Sequence, residues 1–284
     1  MPPMMLNTLR WWTAFFLLLP FAWRSLLKWR QIFEDGRWKH FLWTGLLAIG
    51  VYNSLQYLAL ATSSPINVTL IASSTPIWML SFGALLYNEP VTGRQAAGVA
   101  LSISGVGITL SRGDLATLTD VDFVAGDVLM LVATAAWCTY SWTLARPPES
   151  MKGQARPDWN WADYLLLQIL FGLFWVTLSS GAEFVLTDQR LIWSWSVPAA
   201  VAYIAVGPAL VAYWCWGIGV VKGSPALSGF FINLTPVFAA VLSALWLGET
   251  PKPYHFLSFL LIAAGIVVAN SKRAKEPSEN DSGA

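Results

Sequence analysis

Residues 64–89 read SPINVTLIASSTPIWMLSFGALLYNE, and residues 224–249 read SPALSGFFINLTPVFAAVLSALWLGE. The two stretches align without a gap at an offset of 160 residues, and the alignment continues to Ser111 and Ser271. Prolines, glutamates and glycines match together, which chance similarity between apolar segments does not explain. The chain therefore contains an internal repeat. The identical pairs are Ser64-Pro65 with Ser224-Pro225, Thr75-Pro76 with Thr235-Pro236, Ala84-Leu85 with Ala244-Leu245, Glu89 with Glu249, and Gly105 with Gly265.

The composition around the repeat is that of a membrane protein. Of the 284 residues, 56% are hydrophobic and 12% are charged, whereas soluble domains carry about 25% charged residues. A helix needs about 20 mostly apolar residues to cross the hydrocarbon core, because lipid cannot satisfy backbone polar groups. The sequence predicts nine such spans, at about 4–23, 40–62, 66–88, 95–111, 126–145, 162–182, 197–221, 224–248 and 254–271.

The placement of lysine and arginine predicts the orientation of these spans. The first loop, 24–39, carries five basic residues, and we place it in the cytoplasm. Counting from there, 13 of the 17 basic residues fall inside and three fall outside, while Arg10 lies within the first span. This predicts a multi-pass protein of the cell inner (plasma) membrane. Its C-terminus is predicted to be cytoplasmic and to end in a disordered tail at 273–284.

The repeat is predicted to be inverted in the membrane. Its two copies lie five spans apart, an odd number, so they cross the bilayer in opposite directions. Inverted repeats are typical of transporters that work by alternating access, with a binding site near the midplane. We assign the first unit to residues 1–112 and the second to 126–272. The second unit has five helices and the first only four, which predicts a further helix upstream of Met1.

Ionisable residues are almost absent from the predicted span interiors. Glu89 and Glu249 lie at helix ends, where a structural or solvated role suits their matched positions. Arg10 lies several residues inside a span, where it can snorkel to the outer interface, bond backbone carbonyls or contact a substrate. A carrier of phosphorylated solutes needs a lysine or arginine near the midplane, and a small proton-coupled multidrug exchanger needs a mid-helix glutamate. The spans favour neither class.

Other classes of function lack their signatures. Cys138 and Cys215 lie singly in apolar runs and predict neither a metal site nor a disulfide. The sequence contains no GxSxG or HExxH motif and no pair of midspan aspartates. We therefore expect no catalytic residues and no cofactor. The net charge of +1 argues against a nucleic-acid partner.

Neutral polar and aromatic side chains recur at helical spacing within the spans. One stripe runs at i, i+1, i+4 and i+5 of the second span, and another at i, i+3 and i+4 of the fifth. Such stripes are costly against lipid, so we expect them to line an interior cavity or to hydrogen-bond between helices. Aromatic rings and amides suit a zwitterion with an apolar or aromatic side chain. The candidate substrate-binding residues are Tyr52, Asn53, Gln56, Tyr57, Asn67, Trp137, Tyr140, Tyr213, Trp214 and Asn233.

Two prolines occupy matched positions in the repeat. Pro76 and Pro236 are expected to kink their helices mid-span. The hypothesis is that these paired kinks are flexing points that gate the cavity. Alanine at both positions should then impair transport while leaving folded protein in the membrane, and unchanged transport would contradict the hypothesis.

A series of short motifs occurs in a specific order and spacing. They are Pro3 with Leu9-Arg10-Trp11, Thr75-Pro76 with Leu85-Leu86-Tyr87-Asn88-Glu89, Gly98 through Ser104-Gly105-Val106, Gly126-Asp127-Val128-Leu129 with Trp137, and Leu234-Thr235-Pro236 with Leu247-Gly248-Glu249 and Gly265-Ile266. In these motifs the chain resembles the EamA family of the drug/metabolite transporter superfamily over essentially its whole length. The resemblance implies ten helices in two inverted five-helix units around a central cavity. Within that family, the aromatic-rich faces look like those of the YddG-type exporters of aromatic and other neutral amino acids.

These features together favour a monomeric membrane transporter. Its expected substrates are small neutral metabolites, above all amino acids including aromatic ones, exported by alternating access and driven by the solute gradient alone. Membrane lipids are its other expected partners. Two alternatives stay open: transport of another small organic solute, and a structural or lipid-handling role without transport.

Overall fold

The computed structural model describes residues 2–114, 116, 122–188, 194–248 and 252–271. Within these ranges the chain is helical and contains no β-strand, which confirms the all-α class. Two segments are π-helical, Leu46–Asn53 and Ala205–Val211. The α-helices are α1 (Pro3–Leu27), α2 (Trp29–Phe33), α3 (Arg37–Gly45), α4 (Ser54–Thr62), α5 (Pro65–Ser73), α6 (Thr75–Tyr87), α7 (Gly93–Leu110), α8 (Ala125–Ala145), α9 (Trp161–Leu186), α10 (Ser196–Ile204), α11 (Ala212–Lys222), α12 (Pro225–Ile232), α13 (Thr235–Leu247) and α14 (Pro253–Asn270).

Each of the nine predicted spans coincides with one helix or with consecutive helices. Within the described ranges, six helical segments are long and apolar enough to cross a membrane: 65–87, 125–145, 161–186, 196–222, 225–246 and 253–270. The other three predicted spans are α1, the run α3 to α4, and α7. Polar side chains such as Arg10 in α1 and His40 in α3 lower the hydropathy of the first two. The polytopic class is confirmed, whereas the tail at 273–284 and Glu249 lie outside the described residues.

The sequence repeat is also a repeat of local structure. Ser64 and Ser224 each accept a hydrogen bond from the backbone N–H three residues later, and a proline follows each at the first helical position. The helices of the first copy, α5 to α7, begin at 65, 75 and 93, and those of the second, α12 to α14, begin at 225, 235 and 253. At the ends of α6 and α13, Asn88 and Gly248 adopt the left-handed conformation. The offset of 160 residues thus holds for every boundary of these helices except one.

The paired prolines follow breaks in their helices. A turn at Ser74 separates α5 from α6, and a turn at residues 233–234 separates α12 from α13. Pro76 and Pro236 then lie in the first turn of the new helix, where a proline costs no intrahelical hydrogen bond. Each span is therefore interrupted near the proline, as the sequence predicts. Whether these breaks act as gates stays a prediction.

The repeat-related helices α7 and α14 pack at very short range and run in opposite directions. A Cβ atom at Gly98 would lie 2.5 Å from the Gly265 carbonyl oxygen, and one at Gly265 would lie 2.6 Å from the Gly98 oxygen. Seven residues further along α7, a Cβ at Gly105 would lie 2.8 Å from the carbonyl oxygen of Ser258. The small residues let the backbones meet, as the interface of two membrane helices requires.

Helices α1 and α9 are also repeat-related and also antiparallel. At the start of α1, the N–H groups of Met4 and Met5 donate to the Glu183 carboxylate at 3.1 and 2.9 Å, near the end of α9. Further along α1, Thr8 Oγ1 donates to the Val176 carbonyl at 2.7 Å. Antiparallel pairing of equivalent helices is the arrangement that an inverted repeat predicts, although the inversion of the whole unit stays a prediction.

The buried core lies where α1, α8, α9 and the two π-helical segments meet. Its fully buried members include Trp11, Ile49, Leu166 and Ile169. Large apolar side chains on the outside of the bundle are exposed, among them Phe21, Leu85 and Leu186. An apolar exterior of this kind suits lipid as the surrounding solvent. The core places polar and aromatic side chains of both halves around one central region.

A buried arginine joins two loops that the sequence places on the cytoplasmic side. Arg37 is only 6% exposed. It donates to the carbonyl oxygens of Ser150 and Ala155 at 3.0 Å each, and to that of Gln31 at 2.9 Å. The loop that follows α8 is thereby held against the loop that precedes α3.

Candidate functional site

A cavity of about 450 Å³ opens between α8, α9 and α11. Its volume falls in the range of small-molecule sites, roughly 300–1,000 Å³. Tyr140, Gln168 and Tyr213 form the wall nearest the core. Arg156 and Lys222 line the other end, where α8 and α11 terminate. By the predicted orientation this basic end faces the cytoplasm.

An aromatic cluster lies behind the inner end of the cavity, with Trp137 at its centre. The ring of Trp137 lies 4.5 Å from that of Tyr52, 5.2 Å from that of Tyr140 and 5.4 Å from that of Tyr213, measured between centroids. Trp216 completes the cluster, at 5.1 Å from Trp137. Aromatic pairs at these separations attract each other, so rings contributed by separate helices form one continuous apolar surface.

Two repeat-related residues bond directly to each other beside this cluster. Asn53 and Tyr213 lie 160 positions apart, and Asn53 Nδ2 donates to the Tyr213 hydroxyl at 2.7 Å. The Tyr213 hydroxyl donates in turn to the Ala48 carbonyl at 2.8 Å. Both side chains are at least 95% buried. A contact between equivalent positions of a two-fold repeat must lie close to the axis that relates the copies.

Arg10 ties the two halves together at the same place. Its Nη1 donates to Asn53 Oδ1 at 2.9 Å and to the Tyr57 hydroxyl at 3.4 Å. Its Nη2 donates to the Pro208 carbonyl at 3.0 Å, and a bond to a backbone carbonyl is one of the roles expected from the sequence. Pro208 is the repeat equivalent of Ala48. The π-helical segments of the two halves thus each present the same carbonyl group to a donor from elsewhere in the bundle.

The cavity is closed at its inner end by this network. Tyr213 lines the cavity with its ring, and its hydroxyl is bonded across the bundle to Asn53 and Ala48. Arg10 lies beyond Asn53, further from the cavity, and is 5% exposed. The site is therefore accessible from one end and sealed at the other by hydrogen bonds between the halves.

The structure brings together about half of the sequence-predicted site residues. Tyr52, Asn53, Trp137, Tyr140 and Tyr213 meet in the cluster and network described above. Gln56 and Tyr57 lie at its edge, where Gln56 Nε2 donates to the Tyr52 hydroxyl at 3.2 Å and Tyr57 accepts from Arg10.

The other three predicted residues lie elsewhere. Asn67 donates to Asp127 Oδ2 at 2.8 Å and so fastens α5 to the start of α8. Asn233 donates to Ser102 Oγ at 2.9 Å and fastens the turn after α12 to α7. Trp214 is 44% exposed and packs against Trp161. These three residues therefore hydrogen-bond or pack between helices, which is the alternative to cavity lining that the sequence left open.

The candidate set drawn from the sequence omits Trp11, Arg10 and the π-helical carbonyl groups. Trp11 is fully buried, and its ring lies 5.0 Å from Tyr213. The signal that could have found it is the spacing of Asn7, Arg10 and Trp11, at i, i+3 and i+4 on one face of α1. Nothing in the sequence indicates that Ala48 or Pro208 presents a carbonyl. Among the described residues no group of three or more His, Cys, Asp or Glu side chains could hold a metal ion.

Comparison with known proteins gives relatives that are all transporters in name. The chain is 21% identical to an uncharacterized transporter, YyaM, of Bacillus subtilis strain 168, over 80% of this chain and 71% of that protein. It is 22% identical to the aromatic amino acid exporter YddG of Ancylobacter novellus, over 82% and 75%. It is 25% identical to a probable terminal-alkyne amino-acid exporter of Streptantibioticus cattleyicolor, over 72% and 64%.

The fold and the family agree with these relatives. A crystal structure that is 20% identical in sequence superposes with a TM-score of 0.72, covering 95% of this chain and 88% of the other, which shows a shared fold. The sequence profile of the EamA-like transporter family matches residues 1–111 and 124–271. Those two stretches contain the aromatic cluster, Arg10 and the π-helical segments. The chain therefore belongs to the EamA-like transporter family.

Proposed function

We propose that this protein exports small neutral metabolites, foremost amino acids including aromatic ones, across the cell inner membrane by alternating access. The observation that carries the proposal is the inner end of the cavity. Tyr140, Gln168 and Tyr213 line it, and the ring of Trp137 packs behind the two tyrosines. Two of the relatives are named as amino-acid exporters. An aromatic surface with neutral hydrogen-bonding groups favours a substrate that has an apolar side chain and polar ends.

The mouth of the cavity fits uptake of a substrate from the cytoplasm. Arg156 and Lys222 give that end a positive charge that attracts anions and the carboxylate of a zwitterion. The interior wall has no charged side chain among its lining residues. A solute can therefore be drawn in by charge and then held by rings and amides, which suits a neutral molecule better than a phosphorylated one.

The arrangement of the repeat supports alternating access. Equivalent helices, α7 with α14 and α1 with α9, pack antiparallel, and equivalent residues Asn53 and Tyr213 bond at the interface of the halves. Transporters with such repeats open alternately to the two sides as one half rocks against the other. In the structure the cavity is open at its basic end, and we infer that breaking the Asn53–Tyr213 contact opens the opposite end.

Transport should run down the solute gradient. The aromatic cluster and the Arg10 network contain no carboxylate that could carry a proton, and Glu89 pairs with Arg146 at the end of α6, away from the cavity's inner wall. A proton-coupled carrier needs an ionisable group that alternates between the two sides. We therefore propose facilitated export.

Flux in liposomes tests the proposal. Purified protein reconstituted with a panel of radiolabelled amino acids should give saturable efflux that persists when a protonophore collapses the proton gradient. Trp137→Ala should raise the KM for L-phenylalanine by roughly tenfold, because it removes the central ring of the cluster. Trp246→Ala is the matched control, since Trp246 is 74% exposed on the outside of α13 and its loss should leave the KM unchanged.

Three results would count against the proposal. If no small solute in a broad panel moves, the transporter assignment fails. If flux strictly requires the proton gradient, facilitated export fails. If Trp246→Ala changes the KM as much as Trp137→Ala does, the aromatic cluster is not the substrate site.

A further inference from the structure

One buried face of α1 carries polar atoms that the protein itself leaves unpaired. Asn7, Arg10 and Trp11 lie on that face at i, i+3 and i+4, with exposed fractions of 0%, 5% and 0%. Asn7 Oδ1, Arg10 Nε and Trp11 Nε1 have no hydrogen-bond partner. Buried polar atoms in folded proteins are nearly always paired. Eight buried side-chain atoms in the described part of the chain lack a partner, and three of the eight lie on this one face of α1, a concentration that favours a group that they bind at another stage.

Arg10 is also a buried cation without a counter-charge. Its hydrogen-bond partners are the Asn53 amide, the Tyr57 hydroxyl and the Pro208 carbonyl, and its guanidinium carbon lies 5.1 Å from the centroid of the Trp11 ring; all of these groups are neutral. In the part of the chain that the structure describes, no carboxylate forms an ion pair with it. Arginine presents five N–H donors, so these three bonds leave Nε–H and one further N–H free. A charge inside a membrane bundle is costly unless it is paired, which points to an anionic group on a ligand.

The unpaired atoms match the two charged groups of an α-amino acid. Arg10 and Trp11 offer donors, as a carboxylate requires, and arginine binds carboxylates through two parallel N–H groups. Asn7 offers a carbonyl acceptor, as an ammonium group requires, while its amide nitrogen is held by Ser54 Oγ at 3.2 Å. The Trp11 ring packs edge to face against Tyr213, with centroids 5.0 Å apart, and would offer its apolar surface to a side chain once Tyr213 moves away.

In the conformation described, the second half of the protein covers this face. The Pro208 carbonyl accepts from Arg10 and the Tyr213 ring packs against Trp11. None of the three α1 residues lines the cavity, whereas Tyr213 both lines the cavity and packs against the α1 face. A substrate that enters the cavity therefore reaches the α1 face only when Tyr213 separates from Asn53 and Ala48, which is the movement that alternating access requires.

We propose that Asn7, Arg10 and Trp11 form the head-group site of the transported amino acid, with Arg10 and Trp11 donating to its carboxylate and Asn7 accepting from its ammonium group. This assignment rests on the proposed function and names the residues that would distinguish an amino acid from other neutral solutes. The neutral groups that now bond Arg10 hold it in place while the site is closed.

A counterflow assay with two competing analogues tests recognition of the carboxylate and of the ammonium group separately. Uptake of radiolabelled L-phenylalanine into liposomes containing the purified protein is competed by L-phenylalaninamide, which lacks the carboxylate, and by 3-phenylpropionate, which lacks the ammonium group. In the wild type both should compete roughly 10- to 100-fold more weakly than L-phenylalanine. Arg10→Gln should abolish the preference over the amide, and Asn7→Leu the preference over 3-phenylpropionate.

Two further variants complete the comparison. Thr8→Val is the control on the same helix, since Thr8 Oγ1 is already bonded to the Val176 carbonyl, and both preferences should persist in it. Arg10→Lys keeps the charge but not the paired N–H groups, so it should keep part of the preference over the amide. If Arg10→Gln fails to fold, Arg10→Lys and Trp11→Phe provide the same measurement.

The outcomes distinguish this assignment from the proposed function. Wild-type flux with both preferences unchanged in Arg10→Gln and Asn7→Leu would overturn the head-group site alone, and so would a uniform loss of flux without a change in preference. Absence of flux for every amino acid in the wild type would overturn the proposed function, and this site with it.

Discussion

Single hydrogen bonds at the interface of the halves hold the closed end of the cavity. Tyr213 is the residue through which this closure is most directly testable, because its hydroxyl both accepts from Asn53 and donates to Ala48. Arg10 reaches the same Asn53 from the opposite side. The same few atoms thus link α1 and both π-helical segments.

Tyr213→Phe should destabilise the closed conformation. It removes only the hydroxyl and leaves Asn53 Nδ2 short of one partner in a buried site, at a cost of about 1–3 kcal/mol. The expected result is a lower thermal unfolding midpoint of the purified protein in detergent. Tyr57→Phe is the control, since the Tyr57 hydroxyl is the longer of the two contacts to Arg10 Nη1, at 3.4 Å. An equal drop in both variants would contradict a special role for Tyr213.

For single residues, the sequence predicted which side chains turn towards the interior better than it predicted which neighbours they contact. Tyr52, Asn53, Trp137, Tyr140 and Tyr213 are polar or aromatic residues in apolar spans, so their inward orientation followed from the cost of placing them against lipid. That same cost applies to Asn67, which satisfies it by bonding Asp127 at the start of α8. Periodicity along one helix does not say which neighbour a side chain meets, because the neighbour depends on tertiary packing.

At the scale of helices, the boundaries were largely predictable and the irregular segments were not. Ser64-Pro65 and Ser224-Pro225 are capping signals that can be read from the sequence, and both start helices. The π-helical segments Leu46–Asn53 and Ala205–Val211 have no such signal. They occur at equivalent places in the two halves and beside the proposed site, where π-helical turns are often found.

The close approach of α7 to α14 can be tested by adding a Cβ atom at one of the glycines between them. Gly98→Ala should destabilise the protein by about 1–3 kcal/mol, because the added Cβ would lie 2.5 Å from the backbone oxygen of Gly265. Gly93→Ala is the matched control in the same helix, since a Cβ at Gly93 meets nothing within 4 Å. Thermal unfolding in detergent should separate the two variants, and equal midpoints would show that α7 and α14 are not in close contact in the membrane.

The two halves of the molecule differ in how they are covered. In the first, α8 packs on α6, where Trp142 donates to the Met79 carbonyl at 2.9 Å and contacts Gly83. In the second, α13 is the repeat equivalent of α6, yet none of its described side chains is buried. Among the described residues, no helix covers α13 as α8 covers α6.

Because the cavity opens to one side of the membrane only, a thiol on its wall should react with an impermeant reagent from that side only. In a protein whose exposed Cys215 is replaced by serine, Gly217→Cys places a thiol on the cavity wall, where its Cβ meets only Leu144 at 3.9 Å. A membrane-impermeant maleimide should label it in inside-out vesicles and much more slowly in right-side-out vesicles, because the closed end seals the cavity. A transported amino acid should slow this labelling, because it occupies the same space.

Gly93→Cys supplies the comparison for that experiment. It lies at the start of α7, in open space and away from the cavity lining, on the end that the orientation places in the cytoplasm. It should be labelled in inside-out vesicles at the same rate with or without the amino acid. Equal protection at both positions would mean that the amino acid does not act through the cavity, whereas faster labelling of both from the outside would reverse the predicted orientation. Protection confined to Gly217→Cys would show that the amino acid occupies the cavity and that the cavity opens to the cytoplasm.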